Sequence, residues 1–444
     1  MTVKVYPFSA SGSVVAPPSK SLAHRYLIAA ALKNGRTVVK NTGSSADVMR
    51  TCDCLNALGA KITIENGNAE VYGIETVGAV ANAGENVSNG DEVVFNAGES
   101  VSGSAEVVLN AGESGSTLRF LMPVVAALGK KAKFVCEKSL LSRPMEELIL
   151  VLESHGAKIE KLADGYLVSG KIEAGEYVLS GGVSSQYASG LAFALPLLSG
   201  KSSIVFTEKL VSESYFDMTC SVLSAAGIEY KKEGYKSIIE GKCDYKLPEE
   251  VICNGDFSAL AYLLCLGAVC GDVTVTGIEK DEQGDGEIVE ILKKIGAEVI
   301  SGENFARVKK REINPVTIDC SSVPDIVPAL CAVLCYADGE SLLKGVSRLK
   351  FKESDRVKAC VEMCKKLGAA AELNGDDLKI RGGKPKGGAA LNGYGDHRMV
   401  MAEVVAASGL GEACFVTDAE KVDKSYPEFF KAITCLGGKI DVSV

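Results

Sequence analysis

The chain has 444 residues, of which 47% are hydrophobic and 24% are charged. This length favours two or three domains, because a single hydrophobic core rarely grows beyond roughly 250–300 residues. The formal net charge of −9 argues against a nucleic-acid partner. No apolar run is long enough to span a bilayer, and residues 1–12 lack the layout of a secretory signal, so we expect a cytoplasmic protein.

The 15 cysteines do not suggest disulfides. Most of them lie in apolar segments that are typical of helices, such as Cys265 with Cys270 and Cys331 with Cys335. A buried free thiol behaves as a small hydrophobic group. The sequence contains no CxxC pair and no acidic ligand cluster, so we expect neither structural disulfides nor a metal site.

An internal repeat runs along the chain with a period of about 70 residues. Helical segments that end in glycine and lead into a strand recur at Gly59, Gly156, Gly227, Gly296, Gly368 and Gly437. In phase with them, small-residue-rich apolar helices are predicted to begin near Ser21, Gly115, Gln186, Asp256, Asp325 and His397. An apolar helix without a polar face should be buried. The repeat therefore predicts an α/β fold of six similar units.

Six units divide into two halves of three. We expect an N-terminal domain over residues 19–247 and a C-terminal domain over 248–444, with the leading strand of residues 1–18 packing on the second. A 14-residue block beginning Asn-Ala-Gly-Glu stands at Asn82, Asn96 and Asn110, so residues 82–109 are interpreted as a duplicated surface insertion. A cleft between the halves is the expected site.

Three of the predicted helices begin at segments that are rich in hydroxyl groups and glycine. The segments are PPSKS (17–21), GESGST (112–117) and GGVSSQ (181–186). Helix N-termini leave backbone N–H groups unpaired and carry a partial positive charge, which favours phosphate and carboxylate. Capping by Ser or Thr alone is the alternative for each segment, but their common position in the repeat favours binding.

Charged residues stand beside the same kinds of turn. Lys20 and Arg25 flank the first helix start, and Lys352 and Arg356 are four residues apart, which predicts that they share one helix face. Arg suits bidentate contacts with phosphate or carboxylate, whereas Lys acts as a point charge. Further candidates are Arg119, Arg143, Asp325, Glu353, Asp396, His397, Arg398 and Lys424.

These motifs belong to a series that resembles one enzyme family over almost the whole chain. The family is the 5-enolpyruvylshikimate-3-phosphate synthases, and the matching segments are PSKSLAHR, GESGSTLR, SRPMEEL, VSSQYASGL, LVSESYFD, VPDIVPAL, FKESDRV, GDHRMVMA and DKSYPEFF. The resemblance implies two similar domains, each of three βαβαββ units with buried helices, joined by two crossovers. It also implies transfer of the enolpyruvyl group of phosphoenolpyruvate to the 5-hydroxyl of shikimate 3-phosphate, on the route to chorismate and aromatic amino acids.

The resemblance assigns expected roles to matching residues. The expected shikimate 3-phosphate contacts are Lys20, Ser21, Arg25, Ser184, Ser185, Gln186, Ser212, Tyr215, Asp325 and Lys352. The expected phosphoenolpyruvate contacts are Lys20, Gly115, Arg143, Gln186, Arg356, Arg398 and Lys424. Asp325 is the expected base for the hydroxyl, and Glu353 or Lys20 the acid for C3. Domain closure around the substrates is expected, with no metal or cofactor, no membrane or nucleic-acid partner, and a monomeric chain.

Two positions depart from the family pattern. Glu113 stands where the family often has Asn, and Arg348 where some members have Asn.

Three rival functions stay open at this point. Cys136 invites comparison with the sister enzyme that acts on UDP-N-acetylglucosamine and uses a loop cysteine as acid, although KFVC predicts a strand end there. The second rival is an RNA 3′-phosphate cyclase, which should have a basic surface. The third is a non-catalytic binding module built from the same repeats.

Overall fold

The computed structural model describes residues 1–74 and 106–443. In chain order, its elements up to residue 252 are β1 (Thr2–Val5), β2 (Ala10–Val15), α1 (Lys20–Leu32), β3 (Arg36–Lys40), α2 (Ala46–Ala57), β4 (Lys61–Glu65), β5 (Asn68–Tyr72), β6 (Val107–Gly112), α3 (Gly115–Leu128), β7 (Ala132–Cys136), α4 (Lys138–Leu141), α5 (Glu146–Glu153), β8 (Ala157–Leu162), β9 (Gly165–Gly170), β10 (Glu176–Leu179), α6 (Ser185–Ala194), β11 (Ser202–Phe206), α7 (Glu213–Ala225), β12 (Tyr230–Glu233), β13 (Lys236–Ile239) and β14 (Glu250–Ile252).

The remaining elements continue the same alternation. They are α8 (Phe257–Cys270), β15 (Gly271–Thr276), α9 (Ile288–Ile295), β16 (Glu298–Ser301), β17 (Phe305–Lys309), β18 (Thr317–Asp319), α10 (Val327–Leu334), β19 (Glu340–Lys344), α11 (Arg356–Lys366), β20 (Ala370–Asn374), β21 (Asp377–Arg381), β22 (Ala390–Leu391), α12 (His397–Ser408), β23 (Cys414–Thr417), α13 (Phe429–Cys435) and β24 (Ile440–Ser443). Short 3-10 turns occupy Leu195–Leu197, Gly284–Glu287, Ser347–Phe351 and Ala419–Lys424.

Within the described ranges, the strands form six four-stranded sheets of identical topology. In the sheet of β6, β7, β9 and β8, for example, β6 runs parallel to β7, and β9 pairs antiparallel with both β7 and β8. Helices α3 and α5 connect these strands, so the unit reads βαβαββ. The sixfold repeat and the fold class expected from the sequence are confirmed.

The two halves exchange their first strands. Strand β14 pairs in parallel with β3 of the first unit, and β2 pairs in parallel with β15 of the fourth. Strand β1 lies between β23 and β24 in the last unit. One buried cluster accordingly spans residues 22–253, and the other combines residues 3–16 with 257–436. The change between clusters therefore falls after Cys253 rather than at 247, because β14 completes the sheet of β3.

The helix that opens each unit is largely apolar and lies mostly inside the fold, as its sequence predicts. All residues of α8 are buried. In the first half α3 and α6 approach closely at Gly190, where an added Cβ would lie 2.2 Å from the carbonyl oxygen of Arg119. No helix among the described residues is both long and apolar enough to cross a bilayer.

Two local expectations need correction. Most of the expected insertion, residues 82–105, lies outside the described residues, but residues 107–109 belong to β6, with Leu109 buried. Lys352 and Arg356 do not share a helix face, because Lys352 ends a 3-10 turn and α11 begins at Arg356, behind the cap Asp355. Asp325 lies in the turn just ahead of α10, which begins at Val327.

Candidate active site

The helix starts of both halves meet at a cleft of about 360 Å³. With one exception, every residue expected to touch a substrate or transfer a proton lines this cleft. These residues are Lys20, Ser21, Arg25, Gly115, Arg143, Ser184, Ser185, Gln186, Ser212, Tyr215, Asp325, Lys352, Glu353, Arg356 and Arg398. The exception is Lys424, which is buried behind the cleft wall.

In two of the three first-half motifs one serine caps the helix and a neighbouring serine lines the cleft, whereas Ser184 does both. The Oγ atoms of Ser19, Ser114 and Ser184 accept the backbone N–H groups of Leu22, Thr117 and Gln186. The residues after these caps include Ser21, Ser116 and Ser185, which line the cleft. Each motif therefore holds a cap that fixes the first turn and a hydroxyl that faces the cleft.

Arg143 is buried with most of its hydrogen-bonding capacity unused. Its Nη1 lies 3.3 Å from Oε1 of Glu353, across the cleft in the second half. Its Nε and Nη2 have no hydrogen-bond partner among the described residues. A buried cationic donor without a partner is costly. The arrangement therefore suits an anion that completes the guanidinium.

Arg119 and Gln186 form the wall beside Arg143. Arg119 donates to Oε1 of Gln186 (2.8 Å) and to the carbonyl oxygen of Pro144 (3.1 Å), and Gln186 donates to Oγ of Ser116 (3.0 Å). A Cβ on Gly115 would lie 3.1 Å from Nη1 of Arg119 and 3.4 Å from Nη1 of Arg143. Glycine at 115 thus leaves room for both guanidinium groups.

Arg356 is the centre of the charge network in the second half. Its Nε donates to Asp396 (2.8 Å), its Nη1 to Asp325 (2.7 Å) and its Nη2 to Glu353 (2.7 Å). Asp396 also caps α12, which holds the start of that helix against α11. Burial alone would raise the pKa of Glu353, but Arg143, Arg356 and Lys424 outweigh it and hold the pKa well below its usual range.

Asp325 lies among three cations. Nζ of Lys352 is 3.2 Å and Nη1 of Arg356 is 2.7 Å from its Oδ1, and Nη2 of Arg398 is 4.0 Å from its Oδ2. Burial would raise the pKa of Asp325, but these three cations hold it well below the usual range. Burial also lowers the pKa of Lys352, against the attraction of Asp325.

Lys20 and Lys424 meet on opposite sides of Asp47. Nζ of Lys20 is 2.8 Å from Oδ2 of Asp47, and Nζ of Lys424 is 3.7 Å from its Oδ1. Lys424 also donates to the carbonyl oxygen (3.0 Å) and Oε2 (3.3 Å) of Glu113. Glu113, which departs from the family pattern, therefore binds a lysine of the opposite half.

The far end of the cleft is closed by Arg25, Ser212, Tyr215 and Arg348. Arg25 donates to Thr219 (2.8 Å) and to the carbonyl oxygen of Tyr215 (2.6 Å), which orders α1 against α7. Ser212 has a φ of 50° and does not cap α7 with its side chain. Its Oγ instead accepts Nη2 of Arg348 at 2.8 Å, from the opposite half.

Sequence reasoning missed several residues of the cleft. Asp47 lies 27 residues after Lys20, and no local pattern indicates that the two would pair. In the sequence, Arg348 stands out only as a departure from the family pattern, without a role. His397, a candidate from the sequence without an assigned role, is buried. Neither ring nitrogen has a hydrogen-bond partner among the described residues, and burial and neighbouring cations hold its pKa well below the usual range.

Cys136 does not contribute to the cleft. It ends β7, as KFVC predicts, and is absent from the cleft lining. Burial raises the pKa of its thiol to about 12. A thiol with this environment is a poor acid or nucleophile at neutral pH, which disfavours the sister enzyme that uses a loop cysteine.

Comparisons with known proteins agree with this fold and cleft. Residues 7–433 match the family model described as EPSP synthase (3-phosphoshikimate 1-carboxyvinyltransferase). The chain is 37% identical over 445 residues to the 3-phosphoshikimate 1-carboxyvinyltransferase of Clostridium kluyveri, covering 99% of this chain and 98% of that protein. It is 34% identical over 446 residues to the enzyme of the same name from Clostridioides difficile, with the same coverage.

The fold is also that of a solved enzyme structure. EPSP synthase from Acinetobacter baumannii superposes with a TM-score of 0.79 at 23% identity, over 100% of both chains. The chain thus has the fold of the enolpyruvyl transferases. The chain belongs to the EPSP synthase family, the 3-phosphoshikimate 1-carboxyvinyltransferases, which confirms the resemblance seen in the sequence.

Proposed function

We propose that the chain transfers the enolpyruvyl group of phosphoenolpyruvate to the 5-hydroxyl of shikimate 3-phosphate and releases phosphate. The reaction takes place in the cleft between two domains, residues 19–253 and residues 254–444 with 1–18. The observation that carries the proposal is Arg143, a buried guanidinium with two unpartnered nitrogens in a cleft lined by both halves. We further propose that the protein is a cytoplasmic monomer.

Phosphoenolpyruvate is placed at the end of the cleft where cations of the two halves converge. The unpartnered nitrogens of Arg143 bind one of its anionic groups, beside the open space over Gly115. Arg356 and Arg398 reach the same region from the second half. Lys20 lines the wall and Lys424 acts from behind it through Asp47. Gln186 orients the Arg119 side of the wall.

Shikimate 3-phosphate is placed at the other end. Ser184, Ser185 and Ser212 offer hydroxyl groups to its phosphate, and Lys352 offers a cation. Ser21 and Gln186 extend this surface toward the centre, while Arg25 and Tyr215 close its far side. The helix that starts at Ser185 offers the phosphate its unpaired backbone N–H groups, and Lys352 offers it a point charge.

Transfer proceeds by addition and elimination. Asp325 accepts the proton of the 5-hydroxyl, whose oxygen attacks C2 while C3 is protonated. Glu353 is the first candidate to protonate C3, because an anion on Arg143 offsets one of the three cations that keep Glu353 ionised and so raises its pKa. Lys20 is the second candidate for this acid. Elimination of phosphate then reverses the C3 step, and the surrounding cations stabilise the leaving anion.

The test is a coupled assay of phosphate release from phosphoenolpyruvate, with shikimate 3-phosphate present or omitted. We expect release only with both substrates, and none when UDP-N-acetylglucosamine replaces the acceptor. Cys136→Ser should keep the activity, since its thiol lies outside the cleft. Binding of both substrates without phosphate release would contradict the proposal and favour a binding module.

A further inference from the structure

Tyr215 joins two carboxylates of the second half, the buried Asp285 and the partly exposed Asp325. Its Oη lies 2.9 Å from Oδ2 of Asp285 and 3.3 Å from Oδ2 of Asp325. Ser258 donates to the same Oδ2 of Asp285. Asp325 lines the cleft, whereas Asp285 lies behind Tyr215 and is absent from the cleft lining. The three groups thus form a continuous path from the cleft into the core.

The path has a place for one more proton. A phenol has one hydrogen and can donate it to one carboxylate at a time. When Tyr215 donates to Asp285, its contact with Asp325 becomes a hydrogen bond only once Asp325 carries a proton of its own. Asp285 is 1% exposed, and its Oδ1 has no partner among the described residues. Its ionised form is therefore costly, which makes it a ready acceptor of a proton.

The two carboxyl groups differ in basicity. The three cations around Asp325 make it a weak base, since they hold its pKa well below the usual range. Burial, together with the charge of Asp325, raises the pKa of Asp285 to about 7. A general base works best when its pKa lies near the working pH. The group that contacts the acceptor is therefore less basic than the group behind it.

We propose that Asp285 is a positioning residue that draws the acceptor's proton out of the cleft through Tyr215. The inference rests on the proposed function of the cleft. As the 5-hydroxyl oxygen bonds to C2, its proton passes to Oδ2 of Asp325. In a concerted step Asp325 passes a proton to Oη of Tyr215, and Tyr215 passes its own to Oδ2 of Asp285. Oδ2 of Asp325 and Oη of Tyr215 each gain one O–H bond and lose one, and Oδ2 of Asp285 keeps the transferred proton. That proton later returns by the same path to the departing phosphate.

Charges on every side of Asp285 bear on its titration. Asp325 disfavours its ionised form, while Arg398 favours it, and Ser258 and Tyr215 donate hydrogen bonds to it. Arg348 lies on the far side of the pair and is influenced by both carboxylates. Arg398 itself is held by the carbonyl oxygen of Ser258 at 2.5 Å. The environment is thus set by fixed groups of the second half and by Tyr215.

The experiment is kcat at saturating substrates, measured from roughly pH 5 to 9. In the wild type we expect kcat to fall as the pH drops through about 7, where Asp285 becomes protonated and can accept no further proton. Asp285→Asn should lower kcat at neutral pH about tenfold or more and remove this acidic limb. Tyr215→Phe should have the same effect, and the double variant should be no worse than either single variant.

Glu403→Gln is the matched control. Glu403 is also a buried carboxyl group of the second half with a raised pKa, but it lies outside the cleft lining. It should keep the wild-type profile. Asp285→Asn with an unaltered acidic limb, in a folded protein judged by its circular dichroism, would overturn the inference while leaving the proposed function intact. A wild type without transfer activity would instead overturn the proposed function.

Discussion

Two buried arginines from opposite halves contact the carboxylate of Glu353, and they differ in how many hydrogen-bond partners the protein supplies. Arg356, in the second half, is bound to Asp325, Glu353 and Asp396. Arg143, in the first half, shares only Glu353, and two of its nitrogens have no partner among the described residues. The protein therefore supplies partners for all three nitrogens of the Arg356 guanidinium, whereas two nitrogens of Arg143 are available to the proposed ligand.

The same difference extends to the surroundings of the two residues. The first half offers hydroxyl groups and capped helix starts, whose geometry is fixed locally by Ser19, Ser114 and Ser184. The second half offers carboxylates compensated by cations, and these pairings set the acid–base properties of the cleft. We infer that the first half mainly binds and the second half mainly controls proton transfer.

The largest expected effect, on the free energy of unfolding, comes from removing one of the carboxylates that bind Arg356. Asp396→Ala leaves Arg356 buried with one carboxylate fewer and removes the cap of α12. We expect the free energy of unfolding to fall by roughly 3–5 kcal/mol, measured by urea denaturation. Asp355→Ala is the control, because Asp355 caps α11 in an exposed position and should cost only about 1 kcal/mol. Equal losses would contradict the distinction.

Removal of the Arg143 side chain should affect catalysis rather than stability. Arg143→Ala takes away the expected anion contact, so we expect kcat/KM for phosphoenolpyruvate to fall about 10²–10³-fold. The free energy of unfolding should change little, because most of the donors removed have no protein partner. Arg36→Ala, at an exposed ion pair of the first half, should leave kcat/KM unchanged. A variant that loses stability and keeps its activity would reverse the roles of the two arginines.

Glu403, a buried carboxyl group that forms no ion pair with another described residue, provides the third test. Burial raises the pKa of Glu403 from 4.5 to about 8. As the pH rises above about 4.5, the unfolded chain ionises at this position while the folded chain resists, so stability is lost until about pH 8. Glu403→Gln should remove this loss and be more stable than the wild type at pH 8, on the order of 2 kcal/mol.

The measurement for this variant is urea denaturation at both ends of that range. At pH 5 the advantage of the amide should nearly vanish, since the wild-type carboxyl is then protonated in the folded state. An advantage that does not vary with pH would mean that packing, and not ionisation, distinguishes the two side chains.

The smallest expected effect is steric. In Gly115→Ala the new Cβ would lie 3.1 Å from Nη1 of Arg119, which must move by a few tenths of an ångström, and 3.4 Å from Nη1 of Arg143, which it would just touch. We expect KM for phosphoenolpyruvate to rise about tenfold, equivalent to about 1.4 kcal/mol, with little change for shikimate 3-phosphate. Initial-rate kinetics with each substrate varied in turn would measure this. A larger effect on the acceptor would place the two substrates the other way round.

The sequence predicts local features of this site well and long-range pairings poorly. Helix starts at Lys20, Gly115 and Ser185 follow from capping residues and the apolar period, which are properties of neighbouring residues. The pairings of Lys20 with Asp47 and of Tyr215 with Asp285 depend on how separate units pack, and no local signal encodes them.

The prediction that Lys352 and Arg356 share a helix face is wrong, and a signal in the neighbouring residues could have avoided the error. Their four-residue spacing suggests a common helix face. The helix begins only at Arg356, because Asp355 caps it and accepts the backbone N–H of Lys358. An Asp directly before the first helical residue is a start signal, so Ser354-Asp355 could have placed the boundary. The cross-cleft contact of Arg348 with Ser212 had no such signal.

The proposed phosphoenolpyruvate site depends on the two nitrogens of Arg143 that have no partner among the described residues. A crystal structure with shikimate 3-phosphate and an unreactive analogue of phosphoenolpyruvate would test it most directly. We expect an anionic oxygen of the analogue within about 3 Å of Nε or Nη2 of Arg143, with the acceptor's phosphate near Ser184 and Ser185. An analogue bound elsewhere, with those nitrogens still unpaired, would contradict the account.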